Sequence, residues 1–324
     1  MSSQRPILVL DADGVFLSER PYWNAALGAA LDLAGLSGQV AGAWDDLADA
    51  AFGPVGLQRL TKFRGCNSNW DLAAVLFRTL EKAGTKQKIG SLLQDRHWID
   101  AMSELARVGE TIWNGADPAD PLMAAGIDRN GRFYAAVVDR FQKVLFGDAG
   151  LGWTFRRWRL RGDRERTEDA FRRLDAAQWD LRVCTGRHRN EIEAPIRELN
   201  LDGWLSPFAI TCADDNDRAQ QASGVPSLGK PHWFPPACAV LGYEQALSAL
   251  TAGRLPGVGG TVRYAGDAWA DFQAVLGCRE LGLDLGYVHV RSGVTSPEQE
   301  SVIGQAPGTL GVVDRFEQIL EVLA

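Results

Sequence analysis

The sequence has few of the features that mark several common protein classes. It contains five cysteines in 324 residues, with no Cys-x-x-Cys pair, which predicts neither a disulfide framework nor a zinc site. No apolar run approaches the length of a membrane span, and the first one ends at once at Asp11. The net charge of −7 argues against general binding of nucleic acid. We therefore expect a soluble cytoplasmic protein with reduced thiols, and neither a nucleic acid polymer nor a membrane as its partner.

Two kinds of pattern divide the chain. Residues 6–12 resemble a buried strand, and residues from about 20 to 161 are mostly helical. From about residue 164 onward, strands and helices alternate, which implies right-handed crossovers and a parallel sheet. We therefore expect an α/β fold in which the helical zone is inserted between the first strand and the rest of the sheet domain. The expected helices include 88–109, 235–251 and 313–323.

Four short segments, far apart in the chain, end apolar runs on polar side chains. They are Ile7-Leu8-Val9-Leu10-Asp11-Ala12-Asp13-Gly14, then Val183-Cys184-Thr185-Gly186-Arg187, then Gly229-Lys230-Pro231, then Tyr264-Ala265-Gly266-Asp267 with Asp271 close behind. The carboxyl ends of parallel strands are where ligands bind in α/β sheets. The segments therefore predict that carboxylates, a hydroxyl and an ammonium meet at one sheet edge, as Mg²⁺-dependent phosphoryl transfer to an aspartate requires.

Each residue type suits one part of that chemistry. Asp11 can attack phosphorus, and Asp13 can protonate the leaving alkoxide and later take a proton from water. Thr185 can donate a hydrogen bond to a phosphoryl oxygen, and Lys230 can offset negative charge. The expected Mg²⁺ ligands are Asp11, the carbonyl of Asp13, Asp267, and Asp271 either directly or through waters.

Taken singly, these segments have simpler explanations. Asp11 to Gly14 could be a strand end and a turn, Thr185 a capping residue, Lys230 a surface lysine and Gly266-Asp267 a turn with a helix N-cap. Their occurrence in this order, each where a strand should end, favours a catalytic site.

With these motifs the chain resembles the haloacid dehalogenase (HAD) superfamily, in the phosphatase branch close to phosphoglycolate phosphatases and β-phosphoglucomutases. The resemblance covers about the first 17 residues and residues 164–324. It implies that Asp11 is the nucleophile, Asp13 the acid/base, Thr185 and Lys230 the second and third motifs, and Asp267 with Asp271 the fourth. Dehalogenases and phosphonatases of the superfamily lack the second aspartate, so Asp13 favours a phosphate ester.

The resemblance also implies the domain organisation. Residues 1–17 and 164–324 would form a Rossmann-like catalytic core, and residues 18–163 an α-helical cap that selects the substrate. This cap is longer than is usual in that branch. Within it, the polar loop carrying Arg64 and Asn67 is a candidate to read the substrate, the alternative being an interhelical turn with Asn caps. Gly14 and Gly186 complete the expected substrate-binding set.

The leading functional hypothesis is a Mg²⁺-dependent phosphatase that acts on a small phosphorylated metabolite. The alternatives are a phosphomutase, a nucleotide phosphatase and, last, a scaffold that has kept the fold without activity. Seven of the eleven tryptophans lie in the helical zone. We interpret them as packing between helices, the alternative being that one or two line a substrate pocket. The sequence predicts no oligomeric state.

Overall fold

A computed structural model describes residues 5–62, 64, 66, 68–114, 121–155, 157–205 and 209–323. Contacts between residues divide the chain into two compact units, one formed by residues 1–18 and 158–324 and the other by residues 19–157. We call the first the sheet unit and the second the helical unit. The sequence-based boundaries of 17/18 and 163/164 lie near these divisions.

The sheet unit is built on six parallel strands in the order β3-β2-β1-β4-β5-β6. The strands are β1 (Ile7–Leu10), β2 (Asp180–Cys184), β3 (Ile210–Thr211), β4 (Val262–Gly266), β5 (Gly286–Val290) and β6 (Thr309–Val313). All four residues of β1 are buried. An unbroken apolar run of this kind is typical of a strand covered on both faces of a parallel sheet. The predicted α/β class with a parallel sheet is confirmed.

Side chains that alternate along β1 enter two different cores. Leu8 and Leu10 pack into one cluster with Val183, whereas Ile7 and Val9 pack into another with Tyr264. Successive side chains of a strand point to opposite faces, so each cluster covers one face of the sheet. The helices of this unit are α9 (Arg164–Ala176), α10 (Arg189–Glu198), α11 (Ala213–Ser223), α12 (Phe234–Leu241), α13 (Tyr243–Ala252), α14 (Trp269–Glu280), α15 (Pro297–Gln305) and α16 (Ile319–Val322).

The described part of the helical unit contains α-helices and two short 3₁₀ turns, Ser37–Val40 and Thr111–Trp113. Its helices are α1 (Arg20–Leu33), α2 (Trp44–Phe52), α3 (Arg59–Lys62), α4 (Asn69–Leu80), α5 (Thr85–Gln94), α6 (Trp98–Glu110), α7 (Pro121–Ala124) and α8 (Arg132–Phe146). The buried face of α1, rich in alanine, packs mainly against α4 and α8. Trp44 is buried and stacks on Trp153, with 6.0 Å between the ring centroids. These contacts support the packing interpretation of the tryptophans.

Three of the expected helices differ from the structure. The expected helix 88–109 is two helices, because the chain leaves α5 through Arg96 with a positive φ of 58°. The expected helix 235–251 is likewise divided into α12 and α13 at Gly242, whose φ is 86°. The expected helix 313–323 is confirmed only in part: Val313 ends β6, and the helical residues are a 3₁₀ turn at Phe316–Gln318 and the short α16. Short apolar runs do not by themselves distinguish a strand from a helix.

Within the described ranges, no helix combines the length and the apolar character needed to cross a membrane.

Candidate active site

The register of the central strands brings the predicted motifs to one edge of the sheet. Leu10, the last residue of β1, pairs with Val183 of β2 on one side and with Ala265 of β4 on the other. Asp11 therefore leaves the sheet between the ends of these two strands, and its backbone N–H donates to the carbonyl of Ala265 at 2.8 Å. Parallel pairing aligns strand ends that are far apart in sequence, which places the first, second and fourth motifs together. The expectation that the third motif also follows a strand is wrong. Lys230 lies in the loop between α11 and α12, and its side chain reaches Asp11 from there.

Lys230 lies at the centre of a buried network of charges. Its Nζ is 2.9 Å from Asp11 Oδ1, 2.7 Å from Asp271 Oδ1 and 2.9 Å from the carbonyl oxygen of Cys184. The side chain of Asp271 is fully buried and also accepts a hydrogen bond from the Tyr264 hydroxyl at 2.9 Å. Its other oxygen accepts from the backbone N–H of Ala268 at 3.1 Å. Asp271 thus fixes Lys230 and the start of α14 in addition to any contact with a metal.

This network shifts the pKa values of both Asp11 and Lys230. Burial raises the pKa of Asp11 to about 7, with Lys230 acting against the shift and the charges of Asp271 and Asp13 adding to it. Burial by itself would lower the pKa of Lys230, but the carboxylates of Asp11 and Asp271 outweigh it and raise that pKa well above its usual value. A cationic lysine beside a carboxylate that is costly to ionise marks a site where a further positive charge would be favourable.

Three buried carboxylates form a set that could hold a metal ion. One oxygen from each of Asp11, Asp267 and Asp271 lies within 4.8 Å of the other two. Gly14 makes room for this arrangement, because its φ is 70° and a Cβ at that position would overlap the Asp267 carboxylate. The backbone of Asp267 is held by Thr295, whose hydroxyl donates to its carbonyl oxygen at 2.7 Å. Hard carboxylate oxygens of this kind suit Mg²⁺.

Asp13 faces a cation for which the sequence analysis assigned no role. Arg187 Nε donates to Asp13 Oδ2 at 2.6 Å, and Arg187 Nη2 donates to Asp13 Oδ1. Arg187 is buried although it is an arginine, with 5% of its surface exposed. It directly follows Thr185-Gly186, so a cation just beyond the second motif was the signal that could have identified it. The contacts of Tyr264 with Asp271 and of Thr295 with Asp267 have no comparable signal in the sequence, because each is an ordinary residue of a strand or loop.

Thr185 and Gly186 lie where β2 ends. Thr185 is buried, and its backbone N–H donates to the carbonyl of Thr211 at 2.9 Å. Its hydroxyl accepts from the backbone N–H of Arg187 at 3.2 Å, as in a turn. Among the described atoms, none lies within 4 Å of a Cβ built on Gly186. The space there would admit a ligand or a small side chain.

The two expected substrate-binding residues outside the sheet belong to the helical unit. Arg64 pairs with Glu110, and its guanidinium lies 5.2 Å from the ring centroid of Trp113. Asn67 lies outside the described residues. The helix that follows is capped by Ser68, whose hydroxyl accepts from the backbone N–H of Trp70 at 3.1 Å, so the capping expected of the asparagines comes from this serine.

Comparison with known proteins finds proteins of similar structure. No protein-family model matches the chain, and no curated protein matches it in sequence. A crystal structure solved by the Northeast Structural Genomics Consortium is 16% identical over 98% of both chains, with a TM-score of 0.67. The chain is also similar to a predicted phosphoglycolate phosphatase from Haemophilus somnus, 14% identical over 100% of both chains with a TM-score of 0.47. A hydrolase from Pseudomonas syringae is 14% identical over 98% of both chains, with a TM-score of 0.47. At these identities the first likeness shows a shared fold.

Proposed function

We propose that this protein is a Mg²⁺-dependent phosphatase that hydrolyses a small phosphate monoester through an aspartyl phosphate formed on Asp11. The observation that carries the proposal is the buried ion pair between Asp11 Oδ1 and Lys230 Nζ at the end of the central strand, 2.9 Å apart. Asp11 emerges between the ends of two neighbouring strands, in the place where parallel sheets bind ligands. A nucleophilic carboxylate next to a fixed cation is the arrangement that attack on a negatively charged phosphate needs.

The charges of the site support the presence of a divalent cation. Asp11, Asp267 and Asp271 are buried together within reach of one ion, and Asp11 and Asp271 share the ammonium of Lys230. Mg²⁺ would be held by Asp11, Asp267 and the backbone carbonyl of Asp13, with Asp271 binding it directly or through water. When bound, the ion would neutralise phosphoryl oxygens and the carboxylates around them.

The residues of the sheet unit would divide the remaining work. Asp11 attacks phosphorus while Lys230 and Thr185 hold phosphoryl oxygens in line. Asp13 gives a proton to the leaving alkoxide and takes one from the water that releases phosphate from Asp11. Gly14 turns the chain so that backbone N–H groups approach the phosphate, and Gly186 leaves space beside it.

The helical unit would select the substrate, a small phosphorylated metabolite. Arg64 and Asn67 are the residues that we propose for this task. We also propose that the protein works in the cytoplasm. Its five cysteines are all free and buried, as suits a reducing compartment.

The test is a screen of phosphorylated metabolites with Mg²⁺, in which released phosphate is measured for the wild type and for Asp11→Asn. We expect turnover by the wild type and none by the variant, because an amide cannot form the acyl phosphate. More than a few per cent of wild-type activity in the variant would mean that another nucleophile acts. A phosphomutase would instead release little phosphate and would need catalytic amounts of a bisphosphorylated sugar.

Thermal unfolding without metal shows whether Asp11→Asn is folded. The pKa of Asp11 is raised to about 7 in the folded protein from 3.8, so the stability cost of ionising it is absent below the lower value and complete above the higher one. At pH 8 we therefore expect the metal-free variant to melt at the wild-type temperature or above it. A marked fall would show that the loss of turnover comes from misfolding.

A further inference from the structure

Arg187 is the buried cation of the sheet unit that the proposed mechanism has not yet used. Two of its nitrogens bind both oxygens of the Asp13 carboxylate, with Nε 2.6 Å from Oδ2. The side chain of Arg187 is 4% exposed and that of Asp13 is 18% exposed. Paired hydrogen bonds from a planar guanidinium fix the orientation of a carboxylate more strictly than a single bond does.

The backbone of Arg187 is anchored as firmly as its side chain. Its N–H donates to Thr185 Oγ1 at 3.2 Å, and its carbonyl oxygen accepts from the N–H of Ala213 at 2.8 Å, just after β3. The guanidinium therefore starts from a point that is held by the ends of two strands. Arg189, two residues on, differs: its side chain is 38% exposed and lies 3.4 Å from Asp215.

The hydrogen bonds of this pair indicate the step that Arg187 serves. Both carboxylate oxygens of Asp13 accept from the guanidinium, so the pair holds Asp13 as an acceptor in a fixed orientation. An acceptor held in this way suits the step in which Asp13 takes a proton from water, which belongs to the second half-reaction.

We propose that Arg187 is a positioning residue that holds Asp13 as the general base for hydrolysis of the aspartyl phosphate. The inference rests on the proposed function. In this step the oxygen of a water molecule forms a bond to phosphorus while the bond from phosphorus to the Asp11 oxygen breaks. One water proton passes to Asp13, the Asp11 carboxylate is restored, and inorganic phosphate leaves.

The experiment compares Arg187→Met and Arg187→Lys with the wild type, using p-nitrophenyl phosphate and Mg²⁺ in rapid-mixing measurements. The p-nitrophenolate leaving group needs little protonation, so the first half-reaction should continue without an acid. For Arg187→Met we expect a burst of p-nitrophenol about equal to the enzyme concentration, then a steady rate reduced by roughly 10- to 100-fold, as when a supporting hydrogen bond is lost. KM should fall together with kcat, because the phosphoenzyme accumulates.

Arg187→Lys should give a smaller loss, since an ammonium keeps the charge but not the paired geometry. The control is Arg189→Met, which removes a neighbouring arginine whose side chain is 38% exposed and contacts Asp215 and the carbonyl oxygen of Ile210, and it should keep the wild-type rate without a burst. Circular dichroism and melting temperatures establish that the variants fold. If Arg187→Met does not fold, the burst and the steady rate of Arg187→Lys are compared with those of the wild type instead.

Three results would overturn the inference. A raised KM at unchanged kcat would mean that Arg187 binds the phosphate of the substrate. A larger loss for alkyl phosphates than for p-nitrophenyl phosphate, without a burst, would place Arg187 in the first half-reaction. Wild-type kinetics in both variants would leave Arg187 without a role in the reaction. None of these would reject the proposed function, which fails separately if Asp11→Asn stays active.

Discussion

Both units of this protein bury charged side chains, but they balance those charges differently. In the helical unit, Asp71 is buried on α4 and is bound by Arg129 at 3.0 Å and by the Tyr134 hydroxyl at 2.7 Å. Lys62 and Glu19 form a second pair in that unit, 2.6 Å apart and almost fully buried. Each of these two buried carboxylates, Asp71 and Glu19, pairs with its own cation. Such pairs hold neighbouring segments together without calling for another ligand.

In the sheet unit, two buried carboxylates share one cation. Asp11, Asp267 and Asp271 lie together, and Asp11 and Asp271 both contact the ammonium of Lys230. Burial raises the pKa of Asp11 to about 7, and the charges of Asp271 and Asp13 add to the shift. Burial of a carboxylate is therefore not by itself a sign of function. The sign is a cluster of carboxylates close enough to hold a metal ion, two of which share one cation.

Removal of metal should have the largest effect. It should also distinguish the sheet unit, which holds the proposed metal ligands, from the helical unit. We expect activity to disappear with EDTA and to return with Mg²⁺, and we expect Ca²⁺ to inhibit because it accepts more ligands at longer distances. Mg²⁺ should also raise the melting temperature of the wild type, by mass action, but not that of Asp267→Asn. Full activity in EDTA would remove Asp267 from its proposed role.

Replacement of Asp13 should come next. Asp13→Asn should slow the turnover of alkyl phosphates by roughly 10²–10⁴-fold, the usual loss when acid–base catalysis is removed. Metal binding should survive, because the expected contact at this position comes from the backbone. The first half-reaction with p-nitrophenyl phosphate should suffer less, since its leaving group needs less protonation. Equal losses for both substrates in single-turnover experiments would contradict the acid role.

Replacement of Asp71 should affect stability and leave the chemistry intact. Asp71→Ala removes the acceptor shared by Arg129 and Tyr134, and we expect a loss of about 1–3 kcal/mol, read as a lower urea midpoint. The rate with p-nitrophenyl phosphate should stay near that of the wild type under folding conditions. The control is Asp139→Asn, an exposed carboxylate that pairs with Lys143 at 2.7 Å. Equal shifts in the two variants would mean that burial of Asp71 adds no stability.

Replacement of Arg64 should have the smallest effect on stability and should test whether the helical unit reads the substrate. Arg64→Ala loses a partly exposed ion pair and a contact with Trp113, worth about 1 kcal/mol or less. If Arg64 contacts substrate, KM for the preferred metabolite should rise while hydrolysis of p-nitrophenyl phosphate changes little. Arg78→Ala is the matched control, because Arg78 also pairs with a glutamate and lies over a ring, that of Phe133.

An unchanged KM in Arg64→Ala would mean that this arginine only joins Glu110 and Trp113. The tryptophans of the helical unit would then be the next candidates for substrate recognition.

The sequence by itself determined the fold class and the order of the motifs. The unbroken apolar run of β1 and the alternation after residue 164 were sufficient for a parallel sheet, because these patterns follow from local periodicity. The same local evidence placed Asp11, Thr185 and Asp267 at strand ends, but it was wrong for Lys230, which lies in the loop between α11 and α12. It failed where short apolar runs are ambiguous, as in the segment that became β6 and α16.

Only the tertiary structure decided which charged side chains meet. Arg187 is 174 positions from Asp13 in the chain, and Lys230 is 219 positions from Asp11. Sequence spacing carries no information on such pairs, because they depend on strand register and on the direction of each side chain. Asp71 is a further example. Its position in α4 does not indicate that its partners are Arg129 and Tyr134. Balance of charge in a buried cluster is a property of the folded chain, since it requires the distances between groups that are remote in sequence.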